Sequence, residues 1–183
     1  QESLLRIKRD IQKYLLEASF RYDGSVIFSP ERRWGFFPSL SAGWRISEEP
    51  FFSNKGFIND LKLRASIGLL GNDAIDPYQW QQSFEIVDAG GAIFGGPSFG
   101  LDPGVLANRY ITWEKSLSYN AGLDARFLDN KMNLKLDMFF RHTYDILGSR
   151  QESTPSTFGA LLPDENYQEV DSKGLEIELG YSN

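Results

Sequence analysis

The sequence predicts an all-β chain of antiparallel, up-and-down strands, and three observations carry that prediction. Apolar and polar residues alternate with a period of two in stretches spread from residue 14 to residue 181, and a strand sends successive side chains to opposite faces. Turn chemistry separates these stretches, as in Asp23-Gly24-Ser25, Ser47-Glu48-Glu49-Pro50 and Leu128-Asp129-Asn130-Lys131. Aromatics make up 14% of the residues and sit in or beside the alternating stretches, where a pleated, half-buried surface accommodates them.

The clearest pattern is a long hairpin over residues 113–142. Leu117, Tyr119, Ala121, Leu123, Ala125 and Phe127 form one row, with Ser118, Asn120, Gly122, Asp124 and Arg126 between them. After the turn at 128–131, Met132, Leu134, Leu136, Met138 and Phe140 form the apolar row, and Asn133, Lys135, Asp137 and Arg141 oppose it.

In chain order, residues 1–18 admit two patterns. Leu4, Ile7, Ile11, Leu15 and Ala18 fall at helical spacing. The strand alternative has a short strand before Arg9–Gln12 and a long one after it, and is preferred from residue 14 onward. There Tyr14, Leu16, Ala18, Phe20 and Tyr22 alternate with Leu15, Glu17, Ser19 and Arg21. Before residue 12 both remain open. A basic connection leads to a strand over 36–46, with Leu40, Ala42, Trp44 and Ile46 opposing Ser39, Ser41, Gly43 and Arg45. A helical turn is expected after Pro50. The strand at 61–69 sets Leu61, Leu63, Ala65, Ile67 and Leu69 against Lys62, Arg64, Ser66 and Gly68. Residues 71–114 form a long connection with seven glycines, and short strand pairing is expected in it around Trp80 to Val87. Residues 143–169 form a second long connection. The last strand, 170–181, sets Leu175, Ile177, Leu179 and Tyr181 against Glu176 and Glu178.

Composition removes several function classes. Nineteen basic against 25 acidic residues give a net charge of −6, unlike a nucleic-acid binder with its basic face. Without cysteine there is no disulfide framework, zinc–thiolate site or cysteine nucleophile. No apolar run reaches the ~18 residues of a membrane-spanning helix. Residues 1–30 do not read as a signal peptide, because Glu2, Asp10 and Glu17 interrupt any apolar core.

Two architectures fit the alternation. A soluble β-sandwich would bring the apolar rows together in a core. A membrane barrel would turn them toward lipid and the polar rows toward a watery lumen. The barrel is preferred because the polar rows carry full charges, among them Lys62, Arg64, Asp124, Arg126, Lys135, Asp137 and Arg141. Aromatics also mark strand ends at Tyr22, Trp44, Phe127, Phe140 and Tyr181. The connections at 23–35, 71–114 and 143–169 share one end, although 47–60 at the other end is not short. In a barrel, Leu117, Tyr119, Ala121, Leu123, Met132, Leu134, Leu136 and Met138 face lipid. Out of the membrane the chain is expected to self-associate or bind detergent, burying Leu123, Leu134, Leu136 and Ile177, because the apolar rows exceed what a soluble monomer exposes.

No catalytic constellation emerges, so the chain is not expected to be an enzyme, and no cofactor or metal is expected. The single histidine, His142, is placed at a loop base. The run Gly90–Gly104 lacks the Gly-Lys-Ser/Thr ending of a phosphate loop. Asp164, Glu165, Glu169 and Asp171 follow no calcium-loop spacing and read as a solvated acidic loop. Trp80, Phe84, Phe94 and Phe99 are candidates for stacking on a sugar or contacting a partner, with packing of their own loop as the default.

Several stretches resemble a known family. They are Arg21-Tyr22-Asp23-Gly24-Ser25, the run from Arg33-Trp34-Gly35 through Ser47-Glu48-Glu49, and Leu61 to Gly68 followed by Gly71-Asn72-Asp73. Ile111-Thr112-Trp113-Glu114-Lys115-Ser116 with Tyr119 to Asp124, and Lys173-Gly174-Leu175-Glu176, complete the set. In this order and spacing they resemble the SusC/RagA family of TonB-dependent outer-membrane transporters over about residues 14–181; the first twelve residues depart from the pattern. The resemblance implies a barrel of about 22 strands filled by a separate N-terminal plug. Residues 1–183 are then an internal slice of six or seven barrel strands without the plug, located in the outer membrane of a Gram-negative cell. It further implies uptake of an oligosaccharide or peptide, energy from TonB through the missing N-terminal part, and a SusD-like surface lipoprotein as lid. The loops 71–114 and 143–169 would lie outside the cell, against the lid or the substrate.

Overall fold

The computed structural model describes residues 3–11 by their backbone alone and residues 13–52, 56–87, 99–150, 155 and 161–182 in full. Seven strands form one antiparallel sheet, in the order β1 (Ser3–Ile11), β2 (Tyr14–Gly24), β3 (Trp34–Arg45), β4 (Ile58–Asn72), β7 (Glu114–Phe127), β8 (Met132–Ser149) and β9 (Asp164–Tyr181). A separate two-stranded ribbon, β5 (Phe84–Val87) and β6 (Gly100–Pro103), is inserted between β4 and β7. Apart from that insertion, each strand pairs with its sequence neighbour, the up-and-down order expected.

The undecided N-terminal segment is a strand. β1 pairs with β2 from Ser3↔Tyr22 to Ile11↔Tyr14. Pairing supplies partners to the backbone groups on the outer edge of β2, which a helix could not do.

Two expectations on strand length need correction. The connection read as 143–169 is shorter, because β8 continues to Ser149 and β9 begins at Asp164. Apolar alternation stops near 142 and 170, but ladder hydrogen bonds do not depend on an apolar face. Pairing therefore runs on from Thr143↔Val170 through Ile146↔Gln168 to Ser149↔Asp164, across a bulge where Asp145 has φ 58°. His142 accordingly lies within a strand and not at a loop base, and Asp164, Glu165, Glu169 and Asp171 lie on β9 and not in a loop. The connection read as 71–114 contains the expected short pairing, but Trp80 sits in the turn before β5 and not in the strand.

The turns follow local chemistry. Leu128, Asp129 and Asn130 take φ of 52°, 54° and 67°, and Lys131 N donates to Leu128 O at 3.1 Å, closing β7 onto β8. Asp and Asn tolerate this left-handed conformation better than most residues. Between β3 and β4, Ile46–Glu48 and Pro50–Phe52 are single 3-10 turns.

A buried cluster occupies one end of the sheet. β3 and β4 stop pairing beyond Ser39↔Gly68, and Phe28, Phe37, Ile111 and Trp113 gather at that end with Ile27, Leu69, Ile75 and Leu147 around them. The Trp113 ring lies 5.4 Å from Phe28 and 5.3 Å from Phe37, centroid to centroid, and its Nε1 donates to Arg33 O at 3.2 Å. Gly71 is required here, since a Cβ would run into the Phe37 ring.

Elsewhere the sheet is a single layer. Among the described residues no second sheet covers its apolar rows: Ile177 is 60% and Leu179 70% exposed. A β-sandwich would bury these side chains, so that alternative is not supported.

Candidate functional site

The register assembles the apolar rows into continuous tiers. Tyr14, Trp44, Leu63, Leu123, Leu136 and Ile177 lie side by side across six strands; the next tier is Leu16, Ala42, Ala65, Ala121, Met138 and Leu175. On the other side, Leu61, Ala125, Leu134 and Leu179 form a third tier, with Phe127, Met132 and Tyr181 beyond it. All eight residues singled out in the hairpin share this face: Leu117, Tyr119, Ala121 and Leu123 on β7, and Met132, Leu134, Leu136 and Met138 on β8. From Met132 to Phe140 is eight steps of about 3.4 Å, which at a tilt of ~40° makes a band roughly 20 Å tall, close to the ~25 Å apolar band of an outer-membrane barrel.

The band ends sharply on the cap side. One tier on, Phe140 pairs with Lys173, and a tier beyond that His142 pairs with Asp171, Nδ1 to Oδ1 at 2.7 Å. The His142 ring stacks on Tyr144 at 5.4 Å. Aromatics mark this border on β2 and β3 as well, where Tyr22 and Trp34 stack at 5.0 Å. At the opposite border, Tyr14 and Trp44 are held by one carboxylate. Tyr14 OH and Trp44 Nε1 donate to Glu49 Oε1 at 2.7 and 3.1 Å, and Lys13 Nζ donates to Oε2 at 3.3 Å. The Tyr14 hydroxyl above all, then Trp44, with Lys13 adding less, holds the Glu49 carboxyl below its ordinary range.

The other face is polar and graded. Toward the 128–131 turn it carries charges. Arg64 lies over Gly122, its Nη2 donating to Asp124 Oδ1 and Asp137 Oδ2 at 2.9 Å each, with its Nε 2.9 Å from Asp124 Oδ2. A side chain at position 122 would collide with Arg64 and Asp137. Lys135 pairs with Glu178 at 3.1 Å, and Ser47 Oγ donates to Asp60 Oδ1 at 2.6 Å. Toward the cap, hydroxyls join the charges: Ser19 and Ser39 are 2.6 Å apart, Ser116 and Thr143 2.7 Å, and Arg141 Nε donates to Ser118 Oγ at 3.2 Å. A groove of about 490 Å³ runs along this face, lined in part by Glu17, Ser41, Arg45, Lys62, Arg64 and Asn120.

Side-chain clamps tie the cap together. Asn166 receives Thr112 N at 3.0 Å and donates to Thr112 O at 2.9 Å, as a paired strand would. Gln79 and Asp164 are joined twice, Gln79 Nε2 donating to the Asp164 side-chain Oδ2 at 3.0 Å and Asp164 N donating to Gln79 Oε1 at 3.2 Å. Asn108 Nδ2 donates to Asp164 O at 2.9 Å. Sequence reasoning missed these clamps and the Arg64 cluster, because their members stand 54 to 85 residues apart.

The loop aromatics are not gathered into one cluster. Phe84 is 63% exposed on the ribbon face it shares with Ile86 and Leu101, and Phe99 is exposed just before β6. Trp80 is half-buried, and Phe94 lies outside the described residues. The four acidic candidates do not converge either: Asp164 meets Gln79, Glu165 pairs with Arg150 at 3.2 Å, and Asp171 pairs with His142. Among the described residues no group of three metal-liganding side chains comes together.

Known proteins share this arrangement. The chain is 35% identical over 171 residues to TonB-dependent receptor P26 of Formosa agariphila, covering 93% of this chain and 17% of that protein. It is 32% identical over 171 residues to TonB-dependent receptor SusC of Bacteroides thetaiotaomicron, covering 92% and 17%. It therefore spans under a fifth of the curated relatives it matches. The RagAB peptide importer in its closed-closed state superimposes with a TM-score of 0.81 at 25% identity, over 94% of this chain and 18% of that one. The family model for the TonB-dependent receptor-like β-barrel matches residues 5–182, so the chain belongs to that family of bacterial outer-membrane proteins, and its open sheet is a segment of the barrel wall.

Proposed function

We propose that this chain is the wall segment of a TonB-dependent importer. It turns its apolar tiers to lipid, lines a nutrient path with its polar face, and catalyses no reaction. The observation that supports this best is the uncovered apolar band, continuous in register across six strands, backed by a face of ion pairs and hydroxyls. Lipid forbids unpaired backbone groups and accepts apolar side chains; a water-filled lumen accepts the charges. In the whole protein, an oligosaccharide or a peptide passes through, TonB supplies energy through polypeptide outside these residues, and a SusD-like surface lipoprotein closes the outer mouth. The cap is the outer end, and segments 73–113 and 150–163, with Phe84 and Phe99, touch that lipoprotein or the substrate.

Protease added to intact cells that make the full-length receptor tests the topology. Cleavage is expected within 73–113 or 150–163, with 128–131 spared. Cleavage at 128–131 from outside would invert the orientation and refute the proposal.

A further inference from the structure

The sheet forks between β3 and β4. The two strands pair as far as Ser39↔Gly68 and then part, while β3 goes on pairing with β2 to Gly24↔Trp34 and β4 with β7 to Asn72↔Glu114. The next pair in register would set Pro38 against Leu69, and proline has no N–H to give a ladder. On the polar row, Phe37 closes the fork. Its ring reaches from β3 to Gly71 on β4 and is buried against Trp113.

On the apolar face the same fork is a hollow of about 470 Å³, within the roughly 300–1,000 Å³ of pockets that hold small molecules. Phe20, Phe36, Leu40, Ile67, Leu69 and Leu117 line it together with Pro38, and all of them stand on the apolar rows. Phe20 and Phe36 form one wall, their ring centroids 5.6 Å apart. Ala18 contributes only a methyl group to the lining, which keeps the space open. No charged side chain lines the hollow, and its two serines, Ser19 and Ser39, bond their hydroxyls to one another at 2.6 Å. Water finds too few polar partners in such a place. Left empty, the lining would forfeit its dispersion contacts.

We infer that the hollow at the β3–β4 fork is a resident binding site for one acyl chain of a membrane lipid. The inference rests on the lipid-face assignment proposed above. The hollow is continuous with that face, so lipid enters it without displacing protein. Inside a bilayer the hydrophobic effect no longer distinguishes one apolar surface from another, and closeness of fit decides what stays bound. Along the flat tiers a chain is touched from one side. In the fork it lies between the Phe20 and Phe36 rings on one flank and Ile67 and Leu117 on the other.

The test uses full-length receptor in phosphatidylethanolamine vesicles containing a phosphatidylethanolamine with a diazirine in one acyl chain. Excess unlabelled vesicles are fused in, and the sample is then irradiated. The diazirine loses nitrogen, the carbene inserts into a nearby C–H bond, and mass spectrometry maps the adducts. After the chase, adducts are expected to persist on Phe36, Leu40, Ile67 and Leu117 and to fade on Leu136 and Ile177. Ala18→Phe, which fills the hollow, is expected to abolish the persistent adducts while the receptor keeps its heat-modifiable migration. Ala65→Phe, on the same face away from the fork, is expected to leave them. Should Ala18→Phe fail to assemble, the chase on the wild type decides alone. Apolar-row labelling that fades evenly, or that both variants reduce alike, overturns the site and leaves the face assignment standing. Labelling of the Ser41, Lys62 and Ser66 row instead defeats the face assignment as well. The same probe is also added to native outer membranes. Fork positions labelled only after purification would mean that a protein segment covers the hollow, and would overturn the lipid site.

Discussion

The barrel wall and the cap are joined by the same strands but held by different physics. In the wall, no second sheet covers the apolar face among the described residues. Met138, Leu175, Ile177 and Leu179 stay exposed on it, and the wall's integrity comes from the backbone ladder and the Arg64, Asp124 and Asp137 cluster. In the cap, backbone leaves the ladder, and its polar groups must be answered one by one. Asn166 does this for Thr112, and the Gln79 side chain does it for Asp164 N. The cap also buries what the wall does not: Phe28 is fully inaccessible beside Trp113 and Phe37. The sheet passes from exposed to internally buried apolar groups within a few residues of Phe140 and His142.

The largest effect should come from removing the wall's solvent. The isolated chain in buffer without detergent is expected to associate through the Leu123, Leu134, Leu136 and Ile177 face, because that face exceeds the few hundred Å² a soluble monomer leaves open and its sheet has two free edges. Light scattering reads the mass. A stable monomer with those side chains exposed would contradict the lipid-face assignment.

Next is the cap core. Phe28→Ala should cost about 3–5 kcal/mol, and the loss should be local. Limited proteolysis of the full receptor should cut 104–113 faster while heat-modifiable migration persists. Simultaneous loss of both would show that wall and cap are one cooperative unit.

Leu136→Arg, in the middle of the apolar band, should cost about 2–4 kcal/mol in membranes. The opposite-face control, Asn133→Arg, should be far milder. Folding into vesicles followed by gel shift measures both, and equal assembly of the two variants would erase the distinction between faces.

The smallest effect concerns Glu49 at the turn-side border. Its carboxyl is held below its ordinary range by Tyr14, Trp44 and Lys13. A lowered folded-state value means that its stabilisation is present at neutral pH, and is lost as pH falls through that lowered value. The Tm difference between wild type and Glu49→Gln should be present at pH 7 and shrink in acid. A difference independent of pH would mean that charge is not what Glu49 contributes.

The alternating residues determined much by themselves. Period-two patterning is a local consequence of strand geometry, so Leu117 to Phe127 and Met132 to Phe140 could be assigned to one face each from sequence, and the 128–131 turn with them. The family was legible in the motifs around Trp34–Glu49 and Ile111–Asp124. What stands on the far side of an apolar row was not legible, because alternation has the same form against a protein core as against lipid; only the tertiary structure shows that, among the described residues, no second sheet covers it. Strand ends were misjudged at 143 and 169, since pairing there is carried by backbone groups that leave no mark on hydropathy. The Arg64 cluster and the Asn166 clamp belong wholly to tertiary structure. Register, set by pairing strands far apart in sequence, chooses which charges meet.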